Sequence, residues 1–316
     1  MRKAGGQEMA HKPFRFGLIG KAQSREEWIE QAKMAEEIGY TSFLASDHVY
    51  WELSPIAALQ AAASATTTLR IGSNVFSNDF WHPVPLAREA ATLDVLSGGR
   101  FELGIGAGYF AGEYMQAGIP FASAQERIAR LEEAVQVITG LFCEEPLTFS
   151  GHYYTIQGLS LPQPLQRSRP PLYMGGGGKL MLSAAARHAD IVGIMPRALP
   201  NGDFDLRGAD QIGTARKVTW VREVAGSRFE ELELSMPILT VVLTEKDRLE
   251  AVKPIAALFG VSAEALLGTI HNLVGSEDQI CEQLLEMRER YSISYITTTI
   301  TNAEKMAPVV ARLAGQ

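Results

Sequence analysis

FRFGLIG (14–20), SREEWIEQAKMAEEIGY (24–40) and TSFLAS (41–46) follow one another with a change of period at each junction. The outer two are short apolar runs, the mark of buried strands. In the middle one Trp28, Ala32, Ala35 and Ile38 recur at helical spacing, Ser24 stands where a cap belongs and Gly39 where a helix stops. The strands are apolar on both faces, and a parallel sheet covered by helices buries such strands.

The plan repeats along the chain. SPIAALQAAASATTT (54–68) is a helix with Pro55 in its first turn, LRIGSNVF (69–76) a strand followed by a helix over 84–96, and RFELGIGAG (100–108) a strand followed by a helix over 123–141. Between 143 and 170 the rhythm breaks into a hairpin around Ser150 and Gly151 and a proline-rich connector. PLYMGGGG (171–178) is then a strand and turn, 179–188 a helix, DIVGIM (190–195) a strand, 197–210 a polar loop and 211–225 a helix. LELSMPILTVVL (232–243) is one strand, 246–268 and 276–290 are helical, SISYITTTI (292–300) is the last strand and 302–314 the last helix. Eight strands with intervening helices suit a closed (β/α)8 TIM barrel with insertions, one domain over 13–316 behind a short tail at 1–12. A doubly wound sheet with an added domain is the alternative.

A net charge of −7 without a dense basic run argues against nucleic acid and anionic membrane surfaces as partners. No apolar run is long enough to span a bilayer, and the early basic residues have no apolar stretch behind them, so a cytoplasmic location is expected. The two cysteines, Cys143 and Cys281, lie far apart, which points to free thiols rather than a disulfide framework or zinc site.

Four segments carry candidate chemistry. ELGIGAGYF (102–110) has glycines at 104, 106 and 108, but Tyr109 occupies the third position of a GxGxxG fingerprint and the strand is the fourth, so the dinucleotide reading fails. Gly104 reads equally well as barrel packing; Gly106 and Gly108 stand at the carboxyl end of a strand, where barrel enzymes place their sites. SDHVYW (46–51) ends the second strand with Asp47 and His48, an acid beside a proton carrier; a satisfied loop histidine is the plain alternative. No HxH or HExxH pairing suggests a metal, and His11, His82, His152, His188 and His271 are scattered. GSNVFSNDFWHP (72–83) extends the third strand with Ser73, Asn74, Asn78 and Asp79, too polar for core. GGGGKL (175–180) turns from strand to helix, and the backbone N–H groups of Gly176, Gly177 and Gly178 at a helix start, with Lys179, make a phosphate cradle.

These segments in this order resemble the luciferase-like monooxygenase superfamily, most closely in HPVPLAREAATLDVLSGGRFELGIGAG (82–108) and in YMGGGG (173–178) with ARHADIVG (186–193). Within it, SDH followed closely by Trp51 is similar to the branch that uses the deazaflavin coenzyme F420 and contains a sugar-phosphate dehydrogenase. The resemblance implies a TIM barrel, usually dimeric, with the cofactor ring across the carboxyl ends of the strands. It places Asp47 and His48 at the ring, Gly106, Ala107 and Gly108 against the ring and its ribityl chain, and Gly176, Gly177 and Gly178 at the phosphate. It also implies a backbone bulge at Ser73 and Asn74, with a cis peptide bond between them. That branch carries a glutamate where this chain has Tyr109, which speaks against a sugar phosphate and leaves His48, with Tyr109 beside it, as the catalytic candidate. The expectation is hydride transfer between F420 and a small organic substrate; an FMN-dependent monooxygenase and a non-catalytic flavin-binding barrel are the alternatives. Alanine and leucine in 54–68 and 84–96, beyond what one buried face needs, nominate those helices for a homodimer interface.

Overall fold

The computed structural model describes residues 11–49, 53–258 and 260–316. Its central sheet contains eight parallel strands, β1 (Arg15–Ile19), β2 (Ser42–Ala45), β3 (Arg70–Ser73), β4 (Phe101–Gly106), β5 (Leu172–Gly176), β6 (Ile191–Ile194), β7 (Glu233–Ile238) and β8 (Ile293–Thr299). Each pairs with its neighbours in sequence order, and β8 returns to β1, so the barrel closes. The expected tail at 1–12 falls almost wholly outside the described residues.

The first two β-to-β connections are α1 (Arg25–Ile38) and α2 (Pro55–Ala65). Ser24 caps α1 by accepting the Glu27 N–H, and Gly39 ends it in the left-handed region at φ 98°. Helix α2 stops at Ala65, short of the expected residue 68, because Thr66 is extended and Thr67 and Thr68 form a bend whose N–H groups donate to Glu36. After β3 comes α3 (Pro83–Leu96), capped by the His82 side chain on the Val84 N–H. The β4-to-β5 connection holds α4 (Ala111–Ala117), α5 (Ala124–Leu141) and the expected hairpin, Leu147–Ser150 against Thr155–Leu159. Helix α4 has no counterpart in the sequence reading, being too short to show a period. Helices α6 (Lys179–His188) and α7 (Gln211–Ala225) follow β5 and β6, and the polar loop between β6 and α7 contains a small pairing of Arg197–Ala198 with Phe204–Asp205.

The single strand expected over 232–243 is two. Strand β7 ends at Ile238, the chain breaks at Leu239, and Thr240–Leu243 pairs instead with Asn272–Gly275, a strand the sequence reading omitted. Helices α8 (Arg248–Leu258) and α9 (Ala263–Gly268) lie between these two strands, and Val252, Ala256, Leu266 and Val274 form a separate small core. A largely apolar run cannot reveal a change of partner, because either partner buries its apolar residues equally well. Helices α10 (Glu277–Tyr291), with a complete Ser276/Gln279 capping box, and α11 (Ala303–Leu313) flank β8.

Inside the barrel, large residues face glycines. A Cβ on Gly17 of β1 would lie 2.8 Å from Tyr295 Oη, and one on Gly193 of β6 would lie 2.1 Å from Tyr173 Oη. Tyr173 and Tyr295 fill the interior, so the barrel is a packed core rather than a pore.

Candidate active site

Strand β2 delivers Ser46, Asp47 and His48 to the carboxyl end of the barrel. His48 is part-buried, and its Nδ1 lies 3.0 Å from Glu113 Oε1; the N–H of Val49 donates to the same oxygen at 3.0 Å. A carboxylate only accepts, so Nδ1 carries the hydrogen. Glu113 comes from α4, retains 5% of its side-chain exposure, and was not singled out in the sequence because α4 itself was not legible. Tyr109 stands edge-on to the His48 ring at 6.3 Å and stacks on Phe204 from the β6–α7 loop at 6.1 Å.

Asp47 turns to the segment after β3. Its Oδ2 accepts from the Ser77 N–H at 3.0 Å and from Trp81 Nε1 at 2.7 Å. Burial raises its pKa above the ordinary aspartate value, the Trp81 and Ser77 hydrogen bonds and His48 pull it down, and Glu113 pushes it up. Trp51, part of the resemblance to the deazaflavin branch, lies outside the described residues.

The cis peptide expected between Ser73 and Asn74 lies one residue later, between Asn74 and Val75. Ser73 is still a ladder residue, paired with Ala45, and its Oγ both donates to Gly104 O at 2.8 Å and accepts the Gly104 N–H at 2.9 Å. Asn74 still donates its N–H to Ala45 O at 2.8 Å, so the chain can leave the strand only after it.

The β4 glycines meet the protein's own chain. A Cβ on Gly104 would lie 1.9 Å from Ser73 O, one on Gly106 2.8 Å from Val75 Cγ2, and one on Gly108, at φ 69°, 1.9 Å from Tyr114 Oη. Packing therefore requires glycine at these positions whatever docks above them. Beyond the strand, buried Arg127 of α5 donates to Ala107 O at 3.2 Å and to Gly108 O at 3.3 Å, fixing the turn that leads into α4. Tyr114, next to Glu113, donates to Asp79 Oδ2 at 3.2 Å, and Arg130 holds the other oxygen of that carboxylate at 3.2 Å. Helix α4 is thus clamped on both sides of Glu113.

At the end of β5 the glycine run opens α6. A Cβ on Gly177 would lie 2.4 Å from both Arg197 N and Pro196 O, whereas one on Gly178 would meet nothing within 4 Å. Gly178 is the N-cap and offers no side-chain bond, so the first N–H groups of α6 have no capping side chain. Lys179 begins the helix, and the backbone of Arg197, a residue not singled out in the sequence, runs alongside. Bare amide groups, open space and two basic residues fit a phosphate. Asp47, His48, Ser73, Asn74 and Gly106 to Tyr109 gather at the carboxyl ends of β2, β3 and β4, with Gly176 to Gly178 at that of β5.

His271 does not join this group. It is fully buried beside β7, Nδ1–H donates to Pro237 O at 2.8 Å, and burial depresses its pKa to about 4, against the Pro237 bond and with help from Lys217.

The luciferase-like monooxygenase family model matches residues 9–259. The chain belongs to that family. Among curated relatives, an F420-dependent glucose-6-phosphate dehydrogenase of Nakamurella multipartita is 29% identical over 258 residues, 76% of this chain and 71% of its own. One from Microbacterium testaceum is 32% identical over 56% of this chain and 55% of its own. An FMNH2-dependent dimethylsulfone monooxygenase of Pseudomonas putida is 26% identical over 55% of this chain and 51% of its own. The chain thus spans about half the length of several of these relatives. In fold it is similar to the F420-dependent tetrahydromethanopterin reductase of Methanopyrus kandleri, at TM-score 0.76 and 19% identity over 96% of this chain and 99% of that one. An F420-dependent secondary alcohol dehydrogenase matches at TM-score 0.75 and 20% identity over 94% and 98%. Among the described residues no helix is long and apolar enough to cross a membrane.

Proposed function

We propose that this chain is an F420-dependent oxidoreductase that transfers a hydride between the deazaflavin and a small organic substrate. The observation that carries the reading is the His48 imidazole, held by a buried carboxylate at the mouth of a barrel whose β5–α6 turn fits a phosphate. When bound, the deazaflavin supplies a ring carbon that accepts or donates a hydride. The protein's part is positioning and proton transfer. With Nδ1–H committed to Glu113, Nε2 takes the proton of a substrate hydroxyl as its carbon loses hydride, and returns it in the reverse direction. Gly176 to Gly178 and Lys179 hold the phosphate, Val75 and Gly106 line the approach to the ring, and Tyr109 with Phe204 forms an aromatic wall beside His48.

The FMNH2-dependent relative supports a second reading, an FMN-dependent monooxygenase. Titrating the apoprotein with F420 and with FMN separates the two: the first reading expects tighter F420 binding, and a tenfold preference for FMN, about 1.4 kcal/mol, overturns it. The enzyme is read as cytoplasmic, taking a small-molecule substrate, and as a homodimer. Supporting the dimer, Val95 is 50% and Leu96 61% exposed on α3, beside a groove of about 470 Å³ lined by Ile56, Ala57, Gln60, Thr92, Leu93 and Leu96. A monomer by sedimentation at micromolar concentration counts against it.

A further inference from the structure

We propose that Glu113 is a positioning residue for His48: it selects the Nδ1–H tautomer and stabilises the imidazolium formed when Nε2 takes a proton. This rests on the reading of His48 as the proton carrier.

Burying a carboxylate is costly unless donors meet it. Glu113 is met by two, and both belong to adjacent residues at the end of β2: His48 Nδ1–H and the Val49 N–H, each 3.0 Å from the same oxygen. Pinning the loop would need only the backbone donor. The second bond points the imidazole, and a neutral imidazole with Nδ1 protonated presents Nε2 as its basic nitrogen. The carrier of the carboxylate is a seven-residue helix secured for the purpose: Tyr114 bonds Asp79 on one side, and Arg127 grips the preceding turn at Ala107 and Gly108. Besides Glu113, His48 faces Asp47, which precedes it and interacts with it through charge, and the Tyr109 ring. Asp47 is occupied by Ser77 and Trp81, so Glu113 is the carboxylate that contacts the imidazole.

The test is the imidazole itself. Long-range ¹H–¹⁵N spectra of apoprotein labelled in its histidine rings, with His48 assigned by His48→Asn, report tautomer and titration together. Wild type is expected to show Nδ1 protonated and Nε2 basic. Glu113→Gln keeps an oxygen for both donors and loses the charge, so the tautomer persists while the His48 midpoint falls by about one pH unit. Glu113→Ala removes both effects and leaves a mixture of tautomers. In turnover, Glu113→Gln is expected to lose about tenfold and Glu113→Ala about a hundredfold in kcat, with KM changed much less. An unchanged His48 midpoint in a folded Glu113→Gln protein overturns the proposal, whether or not the alanine variant folds. The spectra need no cofactor, so failure to bind F420 sinks the functional reading alone, and unchanged spectra sink the Glu113 role alone.

Discussion

The two ends of this barrel each bury carboxylates, and they do so with opposite partners. At the amino-terminal end Glu102 of β4 receives Arg15 of β1 and Arg70 of β3, Arg15 reaches on to Glu233 of β7 at 2.7 Å, and the Arg15 guanidinium lies 4.5 Å above the Tyr295 ring. Burial works against the Arg15 charge, but Glu102, Tyr295 and Glu233 together outweigh it and hold its pKa above the ordinary value. The partners of the carboxylates there are guanidiniums, which keep their charge, so the cluster acts as a plug even though burial raises the Glu233 pKa against the pull of Arg15. At the carboxyl-terminal end Glu113 and Asp47 meet an imidazole, two amide N–H groups and an indole. Those donors leave a titratable group in the network.

That contrast breaks if removing charge at the plug costs turnover rather than stability. Glu102→Gln removes the charge that Arg15 and Arg70 share, at guanidiniums with only 22% and 27% exposure, and leaves Arg15 with Glu233 and Arg70 with Phe101 O and Gln166. It is expected to lower unfolding free energy by about 3 kcal/mol, the low end for breaking a buried pair because the arginines are partly solvated. Denaturant melts check it, with kcat of the folded fraction unchanged. At the other end His48→Asn is expected to do the reverse: kcat falls on the order of a hundredfold, about 2.7 kcal/mol in barrier, while cofactor affinity changes less than about tenfold and the melt barely moves. Near-normal kcat with lost cofactor binding would make His48 a binding residue.

His271, buried beside β7, sharpens the comparison. His271, with a pKa depressed to about 4, is neutral when folded and protonates near its ordinary value once unfolded. The unfolded chain therefore binds more protons between those values, and stability is present above the unfolded pKa and lost as pH falls toward 4. Between about pH 7 and about pH 5 the loss should reach about 2 kcal/mol, and a His271→Gln variant should show a flatter pH profile of stability. The smallest expected effect separates two neighbouring glycines. Gly177→Ala drives a Cβ into backbone at 2.4 Å and should cost about 1 kcal/mol of stability, whereas Gly178→Ala meets no protein atom within 4 Å and should leave the melt nearly unchanged. Equal effects at both positions would mean that the turn adapts.

Local pattern carried much of the site's address. Asp47 and His48 were legible because an acid and an imidazole interrupt an apolar strand at its carboxyl end, and the 175–178 glycines because they join a strand to a helix. Glu113 was not legible, since AGEYMQA is too short to show a period and its partner lies 65 residues away. Asn74 was legible only as part of a bulge; which bond is cis depends on Ser73 remaining paired with Ala45 and bonded to Gly104. Tyr109 stood out as a departure, and only its stack on Phe204 shows it as part of a wall.

By itself the sequence determined the eightfold alternation and the end of the barrel where chemistry can sit, because strand and helix periods and their caps are local properties of a few consecutive side chains. The tertiary structure decided which polar groups meet. Closure of β8 onto β1 lines up Arg15 with Tyr295 at one end of the barrel, while β2 and α4 bring His48 to Glu113 at the other. Those pairings join residues far apart in the chain, and their energies depend on the burial that only the closed barrel creates.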